Sequence, residues 1–247
     1  MIEIRGTTTL VGLFRWPPAD SGSPRMQNAG FAALGLDWAY VPLPTPPERL
    51  ADAVRGIVAM GFAGANVTMP HKEAVISLCD EVDDVATRAG SVNTLVVRDG
   101  RILGSSTDGL AVVEQLEPKG RSALVLGTGG AAKAAAATLA DAGAEVVVRG
   151  RRDPSWPPSA DGFDILVNAT PVKGEVIVRP HPGMQVVDMA YNADGRPTAL
   201  ITAATEVGCY PCVDGLDVLL AQGAASFERW TGEPAPLLAM RDALRRV

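Results

Sequence analysis

The sequence predicts an α/β protein with two domains. Apolar stretches of strand length alternate with stretches of helical spacing in both halves of the chain, a pattern typical of right-handed βαβ units. In the second half, the continuous apolar strand "SALVLG" leads through a glycine-rich turn into an alanine-rich helix, as in a parallel sheet covered on both faces. The 247 residues also exceed one typical domain of about 100–150 residues.

The first half shows strand and helix patterns in turn. Leu50, Val54, Ile57 and Val58 form an apolar stripe at helical spacing. Asp99-Gly100 between two apolar stretches indicates a hairpin, and Pro70 suits the first turn of a helix. In order, we predict a strand over 8–15, a helix over 24–34, a strand over 38–44, a helix over 46–60, a strand over 64–68, a helix over 70–82, a short second helix and a hairpin over 93–107.

The second half continues the alternation after Thr107, and the chain closes with two helices. A polar stretch, "EPKGR", separates the first of these helices from the following strand. In order, we predict a helix over 108–116, strands over 122–127 and 145–150 with a helix between them, strands over 164–170 and 185–191, and helices over 198–208, 214–232 and 234–247.

Composition and charge exclude several classes of protein. The formal net charge of −6 disfavours general binding to nucleic acid or to anionic membranes. The N-terminus is charged where a signal peptide is apolar, and no apolar stretch reaches the roughly 18–20 residues of a membrane span. We therefore expect a cytoplasmic protein whose partners are small molecules rather than nucleic acid or membrane, and monomer and homodimer both stay open.

Three cysteines are too few, and odd in number, for a disulfide framework. Cys209 and Cys212 have C-x-x-C spacing, but no second cluster of cysteine or histidine is there to complete a metal site. We expect no metal, and we interpret the pair as two thiols near a strand that enters the core.

The turn "GTGGAA" indicates a dinucleotide site, because it lies between a buried strand and a helix. Glycines let backbone N–H groups approach a pyrophosphate at the start of the helix. About 20 residues on, the chain carries Arg151 and Arg152, whose planar guanidinium groups favour a 2′-phosphate. NADP is the predicted cofactor, while Asp153 could accept from a ribose hydroxyl and keeps NAD possible.

Several motifs together resemble the shikimate dehydrogenases, including the branch that also accepts quinate. They are "NVTMPHK", "GSVNTL", "STDG", "GTGGAAKA", "NATP", "VVDMAY" and "GLDVLLAQ", in the order and approximate spacing of that family. The resemblance implies an N-terminal α/β substrate domain over residues 1–104, completed by C-terminal helices over 218–247. It implies a Rossmann-type NADP-binding domain over 105–217, and reversible reduction of 3-dehydroshikimate with NADPH.

The resemblance also implies the site residues. Lys72 and Asp108 match the family's catalytic lysine and aspartate, and both also contact the substrate. The other matching substrate positions are Ser21, Ser23, Thr68, Asn93, Tyr191 and Gln222. The matching cofactor positions are Gly127, Thr128, Gly129, Gly130, Ala131, Gly150, Arg151, Arg152, Met189 and Gly215.

The chemistry of ketone reduction favours the same pair independently. Hydride transfer leaves an alkoxide that must receive a proton, and the reverse reaction needs a base at the same oxygen. A lysine serves both directions when burial lowers its pKa, and a neighbouring carboxylate orients it. Without the resemblance, the sequence favours a surface lysine at Lys72 and a helix N-cap at Asp108.

The sequence departs from the family pattern at several points. Gln27 in "MQN" and the segment "RRD" resemble the quinate/shikimate branch, which extends the expected substrate range to quinate. Ser106, Lys173 and Ala193 replace the family's usual residues. Only 17 residues separate Gly150 from Asn168, so the cofactor domain is expected to lack about one βα unit.

Two alternatives to a shikimate dehydrogenase stay open from the sequence. One is a quinate or aminoshikimate-type dehydrogenase, because a few side chains decide which ring substituents bind. The other is a non-catalytic ligand sensor, which the shortened cofactor domain would suit. Retention of Lys72, Asp108 and Gln222 argues against a sensor, because a sensor needs no proton donor.

Overall fold

A computed structural model of the chain describes residues 3–245. It divides into two compact units, one that runs to Thr107 and resumes at Leu220, and one from Asp108 to Leu219. We call them the first and the second unit. The predicted α/β fold class is confirmed. Residues 1–2 and 246–247 of the predicted domains and last helix lie outside the described residues.

The first unit is built on a mixed six-stranded sheet. Its strands are β1 (Thr9–Arg15), β2 (Trp38–Pro44), β3 (Gly64–Val67), β4 (Glu81–Val82), β5 (Thr94–Arg98) and β6 (Arg101–Ser105), in the spatial order β2-β1-β3-β5-β6-β4. β1 is parallel to β2 and β3, whereas β5 is antiparallel to both of its neighbours. The parallel strands β1 and β3 therefore end at one edge, where the candidate site residues of this unit follow.

The helices of the first unit are α1 (Ser23–Ala33), α2 (Leu50–Ala59) and α3 (Asp84–Ala89). The predicted stripe on α2 is confirmed, because Leu50, Val54 and Ile57 are buried in a core cluster that includes Phe14. The hairpin is confirmed too: Asp99 and Gly100 join β5 to β6 with positive φ angles of 51° and 75°, which a two-residue type I′ turn requires.

The predicted α-helix over 70–82 is wrong. Residues 69–73 form turns, and a short 3-10 helix follows over Ala74–Leu78. The chain then leaves the helix because Asp80 pairs with β6: its amide donates to the Ile102 carbonyl, and its carboxylate accepts from the Ile102 amide at 2.7 Å. Pairing with the sheet thus overrides the local helical pattern.

The second unit contains a five-stranded parallel sheet. Its strands are β7 (Ser122–Leu126), β8 (Glu145–Arg149), β9 (Ile165–Asn168), β10 (Gln185–Asp188) and β11 (Cys212–Val213), in the spatial order β11-β10-β9-β7-β8. Its helices are α4 (Asp108–Val113), α5 (Gly130–Asp141) and α6 (Ala199–Glu206). The closing helices are α7 (Gly215–Thr231), which continues from the second unit into the first, and α8 (Leu237–Arg245).

The predicted shortening is visible next to β8. Between β8 and β9 the structure has turns and bends in place of a helix and a strand. Within this connection, Ala160 is buried, and Trp156 and Phe163 pack on the same core cluster as Leu124, Leu166 and Val186. The loop therefore covers one face of the sheet with a few large side chains.

The C-x-x-C cysteines behave as expected. Cys209 and Cys212 are free thiols, and each donates to a backbone carbonyl, that of His181 and that of Cys209 respectively. Burial raises the pKa of both thiols, so they are protonated at neutral pH. Among the residues that the structure describes, no helix is both long and apolar enough to cross a membrane.

Candidate active site

Lys72 lies on the turn that follows β3, and the turn is fixed on both sides. The amide of His71 donates to the Thr68 carbonyl at 2.9 Å, and the Lys72 carbonyl accepts from the Val92 amide at 2.9 Å. Because both ends are hydrogen-bonded, the backbone position of Lys72 is set by β3 and by the segment before β5.

His71 is a structural residue of this turn. It is 1% exposed, and its Nε2 lies 2.8 Å from the carbonyl oxygen of Thr45, just past the end of β2. Burial lowers the pKa of His71, so the ring is neutral at pH 7 and donates from Nε2.

Asn66 is the hub of a buried polar network beneath these residues. Its Nδ2 lies 3.1 Å from the Asn93 carbonyl, 3.2 Å from the Thr94 hydroxyl and 3.1 Å from the Ser226 hydroxyl. Its Oδ1 accepts from the Tyr40 hydroxyl at 2.9 Å. Both functional groups of the Asn66 amide are therefore satisfied inside the protein, as burial demands.

The network extends to the predicted substrate residues Asn93 and Gln222. The Asn93 amide donates to Thr107 Oγ1 at 2.9 Å and lies 3.4 Å from Gln222 Oε1. Thr107 in turn donates to the Gln222 carbonyl at 3.1 Å. The structure therefore brings together Asn93, which directly precedes β5, and Gln222 on α7. Thr107 hydrogen-bonds both residues.

The other end of the network reaches the two predicted serines. The Ser21 hydroxyl lies 3.2 Å from the Ser23 hydroxyl, at the start of α1. Ser23 is buried and hydrogen-bonds the Tyr40 hydroxyl. Burial raises the pKa of Tyr40, so this hydroxyl is neutral and can donate to Asn66. Ser21 and Ser23 are thus connected to Asn93 through Tyr40 and Asn66.

Gln27 is fully buried between α1 and α7. Its Nε2 donates to the Gly223 carbonyl at 2.9 Å, while its Oε1 has no hydrogen-bond partner in the described chain. A Cβ at Gly223 would lie 2.1 Å from the terminal methyl of Met26, so the glycine leaves room for that side chain. Gln27 therefore ties α1 to the helix that carries Gln222.

Asp108 is the first residue of the second unit and begins α4. Its side chain is buried. The next residue, Gly109, lets α4 approach α5, because a Cβ there would overlap Thr138 Oγ1 and lie 2.5 Å from the Ala134 carbonyl oxygen. The close packing of α4 against α5 therefore explains the glycine of the "STDG" motif.

The glycine turn after β7 fits a pyrophosphate. Gly127 has a φ of 118°, and a Cβ there would lie 3.0 Å from the carbonyl oxygen of Ala169. Gly129 precedes α5, a helix of 12 residues with no side-chain cap, so backbone N–H groups at its start are available to an anion. Thr128 and Gly129 are exposed, and Gly130 and Ala131 are half-buried.

The arginine segment after β8 is a tight turn. Asp153 accepts from the Gly150 amide and returns a backbone bond to the Gly150 carbonyl at 2.9 Å. Arg151 and Arg152 at the tip of this turn are exposed. Gly150 is buried, and a Cβ there would lie 2.5 Å from Thr128 Cγ2, so the glycine lets this turn approach the glycine turn. The bond from Gly150 uses Oδ2 of Asp153, so the second carboxylate oxygen can still accept from a ribose hydroxyl.

Met189 directly follows β10, and the buried polar residues Asn168 and Asp188 hold the backbone there in place. Asn168 donates from Nδ2 to Asp188 Oδ1 at 2.9 Å, and the Met189 amide donates to the Asn168 carbonyl at 2.9 Å. Asp188 also accepts from Thr198 and from the amide of Ala190. Burial raises the pKa of Asp188, and these hydrogen bonds oppose that change.

The remaining predicted residues are Tyr191 and Gly215 in the second unit and Thr68 directly after β3. Tyr191 is half-buried two residues after Met189. Gly215 is buried at the start of α7, where a Cβ would overlap the carbonyl oxygen of Ala190. Thr68 is half-buried directly after β3, and its amide donates to the Phe14 carbonyl at 3.0 Å.

Sequence reasoning missed the residues that support the site from below. Tyr40, Asn66, Thr107 and Ser226 are buried polar residues, and each hydrogen-bonds a predicted substrate residue or a neighbour of one. One signal was present: Asn66 opens the "NVTMPHK" motif within an otherwise apolar strand, and a buried amide in a strand needs partners.

Two family models match the chain. The "Shikimate dehydrogenase substrate binding domain" matches residues 16–95, and the "Shikimate 5'-dehydrogenase C-terminal domain" matches residues 215–245. The curated shikimate dehydrogenase (NADP(+)) of Rubrobacter xylanophilus is 44% identical over 278 positions, covering 98% of this chain and 97% of the relative. Because 278 exceeds 247, the alignment includes positions that this chain lacks, in agreement with a shortened domain.

Solved structures agree with these matches. A shikimate dehydrogenase in complex with NADP⁺ superposes with a TM-score of 0.90 at 31% identity, covering 98% of this chain and 96% of that one. The enzyme of Thermus thermophilus in complex with NADP(H) and shikimate has a TM-score of 0.83 at 32% identity, with 97% and 99% covered. The names of these relatives mention shikimate, and they give no specific support to quinate as a substrate.

A relative of this identity, aligned over nearly the whole of both chains, establishes kinship, and the chain belongs to the shikimate dehydrogenase family.

Proposed function

We propose that the chain is an NADP-dependent oxidoreductase that interconverts 3-dehydroshikimate and shikimate. The observation that carries this proposal is the 44% identity to a curated shikimate dehydrogenase (NADP(+)) over nearly the full length of both proteins. The activity belongs to the EC 1.1.1 class and serves the shikimate pathway of aromatic amino acid biosynthesis. A cytoplasmic location fits such a biosynthetic enzyme.

The two units divide the work in this proposal. The first unit binds the ring acid, and the second unit binds NADP. The predicted domain boundaries, 104/105 and 217/218, lie within a few residues of the divisions after Thr107 and Leu219. The polar network of the first unit and the glycine turn of the second support these separate roles.

Lys72 is the proposed proton donor in reduction and proton acceptor in oxidation. NADPH supplies the hydride, and the oxygen left behind needs a proton from a group held in position. The hydrogen-bonded turn around Lys72 provides that position. Asp108, buried at the start of α4, is the proposed carboxylate that orients the lysine and contacts the substrate.

Neutral hydroxyl and amide groups bind the rest of the ring in this proposal. The carboxylate and hydroxyls of the ring acid are bound by Ser21, Ser23, Thr68, Asn93, Tyr191 and Gln222. Neutral groups suit a polyhydroxylated ring because each can donate and accept. The buried network gives a physical reason for precise placement, because it fixes the rotamers of Ser23 and Asn93.

NADP is the proposed cofactor. The glycine turn, Gly127 to Ala131, and the start of α5 bind the pyrophosphate, Arg151 and Arg152 bind the 2′-phosphate, and Gly150, Met189 and Gly215 line the path of the dinucleotide. The two exposed arginines favour NADP over NAD, because their planar guanidinium groups suit a 2′-phosphate.

One assay tests the proposal. Purified protein is mixed with shikimate or quinate and with NADP⁺ or NAD⁺, and the absorbance of the reduced cofactor is followed. We expect the highest kcat/KM with shikimate and NADP⁺. Absence of turnover in all four mixtures would refute an enzyme and favour the sensor, and a preference for quinate would move the protein to the quinate branch.

A further inference from the structure

β8 is an open edge of the sheet in the second unit. It pairs with β7 on one side, and within the described chain no strand pairs with its other side. The connection from β8 to β9 contains no strand that could cover this edge. An uncovered edge presents unpaired N–H and C=O groups to which another chain can add a strand.

The outward groups of β8 can be assigned from its bonds to β7. The Glu145 amide donates to the Arg121 carbonyl at 2.8 Å, and the Arg149 carbonyl accepts from the Gly127 amide at 2.8 Å. In a parallel pair, alternate residues bond the same neighbour. Glu145, Val147 and Arg149 therefore face β7, and the backbone groups of Val146 and Val148 face outward.

The edge has only part of the usual protection against pairing. Natural edges are protected by short length, charged side chains, proline or a bulge. β8 is short and has a charged residue at each end, and the Arg149 guanidinium donates to the Val148 carbonyl at 3.0 Å. Its centre, however, is three valines in regular register with β7, without proline or bulge, and 37% of Val148 is exposed.

The sequence of β8 is complementary to itself in the antiparallel direction. A two-fold axis through Val147 sets Val146 opposite the partner's Val148, and sets Glu145 opposite the partner's Arg149. The outward residues Val146 and Val148 then form the hydrogen-bonded pairs of an antiparallel ladder. The charged residues fall at non-hydrogen-bonded pairs, where side chains lie closest.

We propose that two copies of this chain form a homodimer by antiparallel pairing of β8 with β8. The two five-stranded sheets join into one ten-stranded sheet, with four backbone hydrogen bonds and two Glu145–Arg149 ion pairs across the axis. On pairing, the Arg149 guanidinium leaves the Val148 carbonyl of its own chain and turns to the partner's Glu145. That carbonyl then accepts from the partner's Val146 amide.

The contact is small, so the dimer is reversible. Five residues from each copy bury much less than the roughly 1,600 Å² of a standard stable interface. We therefore expect dissociation in the micromolar range, with monomer dominating at low concentration. The proposal concerns the second unit and does not depend on which ring acid the protein reduces.

Sedimentation equilibrium tests the proposal. The full chain is measured from roughly 1 to 100 µM, and the dimer dissociation constant is obtained for each variant. Glu145→Arg and Arg149→Glu each replace two attractive pairs by two repulsive ones. The double variant, Glu145→Arg with Arg149→Glu, restores opposite charges in the same register. Glu206→Arg on α6 is the matched control, because it changes an exposed glutamate of the same unit on a helix that packs at β10 and β11.

The expected result is a rescue. Each single reversal raises the dissociation constant by about tenfold or more, the double variant returns it to near the original value, and the control leaves it unchanged. Circular dichroism confirms that each variant is folded. Three outcomes would overturn the proposal: a monomer throughout the range, a dimer insensitive to the reversals, or a double variant as weak as the single ones.

Discussion

Replacement of Asn66 by alanine is the most informative change in the first unit. Asn66 is 6% exposed, and its amide contacts four polar groups at 2.9 to 3.2 Å. Truncation removes the acceptor of the Tyr40 hydroxyl and one donor to the Asn93 carbonyl. The hydroxyls of Thr94 and Ser226 keep each other, at 2.8 Å.

The magnitude follows from the groups left without a partner. A buried polar group without a hydrogen bond costs about 1–3 kcal/mol, and the truncation also leaves a small cavity. The Asn93 carbonyl keeps its bond from the Val67 amide at 2.8 Å, so the Tyr40 hydroxyl is the main loss. We expect Asn66→Ala to lower the free energy of unfolding by about 2–4 kcal/mol.

A double-mutant cycle with Tyr40→Phe isolates the bond between the two side chains. Tyr40→Phe alone should cost about 1–2 kcal/mol, because Asn66 Oδ1 loses its donor. The double variant should cost less than the sum of the two by about 1 kcal/mol. Urea unfolding followed by tryptophan fluorescence measures this, because three of the four tryptophans, Trp16, Trp38 and Trp230, lie in the first unit.

The kinetic consequence distinguishes a positioning network from plain stability. Below the unfolding transition, the KM for shikimate should rise in Asn66→Ala while the KM for NADP⁺ stays within about twofold. Additive unfolding energies in the cycle, or an unchanged KM for shikimate, would refute the reasoning that Asn66 positions the ring-binding residues.

Three more substitutions probe other parts of the molecule. Gly109→Ala should destabilise the second unit by about 1–3 kcal/mol, because its Cβ meets Thr138, whereas Gly174→Ala, with no atom near its Cβ, should be neutral; urea unfolding followed by circular dichroism measures both. His71→Gln should weaken the pH dependence of unfolding. The folded-state pKa of His71 is lowered, so the wild type loses stability as pH falls below about 6.5. A variant whose free energy of unfolding has the same slope against pH as the wild type would contradict this. Arg151→Ala should raise the KM for NADP⁺ at least tenfold and leave that for NAD⁺ within about twofold, and equal effects on both would contradict a 2′-phosphate contact.

Elements with strong local patterns were predictable from the sequence. β2 has the predicted bounds, 38–44, because its apolar stretch ends just before Pro46 and Pro47. The turn at Asp99-Gly100 is set by residues that tolerate positive φ. The alanine-rich α5 and its glycine turn were predictable as well, since glycines at this spacing between a strand and a helix are typical of a βα turn in a parallel sheet.

The failed helix at 70–82 shows the limit of local reasoning. Its apolar spacing is helical, but the backbone of Asp80 is hydrogen-bonded to β6, which is distant in sequence. A pattern within one segment does not contain the partner that competes for its hydrogen bonds. Tertiary pairing therefore decided the outcome there.

The candidate site shows a similar division. Motifs identified Lys72, Asp108 and the cofactor turn, whose roles stay predictions. The network through Tyr40, Asn66 and Ser226 was not visible, because it joins residues from β2, β3 and α7 whose proximity only the fold creates. Gln27 is buried against Gly223, a placement that the sequence did not indicate, and its link to substrate range stays a prediction.

Proton transfer at Lys72 is tested by one pair of measurements on Lys72→Ala. Single-turnover oxidation of shikimate by NADP⁺ gives the rate of the chemical step, and calorimetric titration gives the affinity for shikimate. We expect a rate lower by about 10²–10⁴-fold with a dissociation constant within about tenfold of the wild type. A rate near that of the wild type, with shikimate still bound, would contradict it.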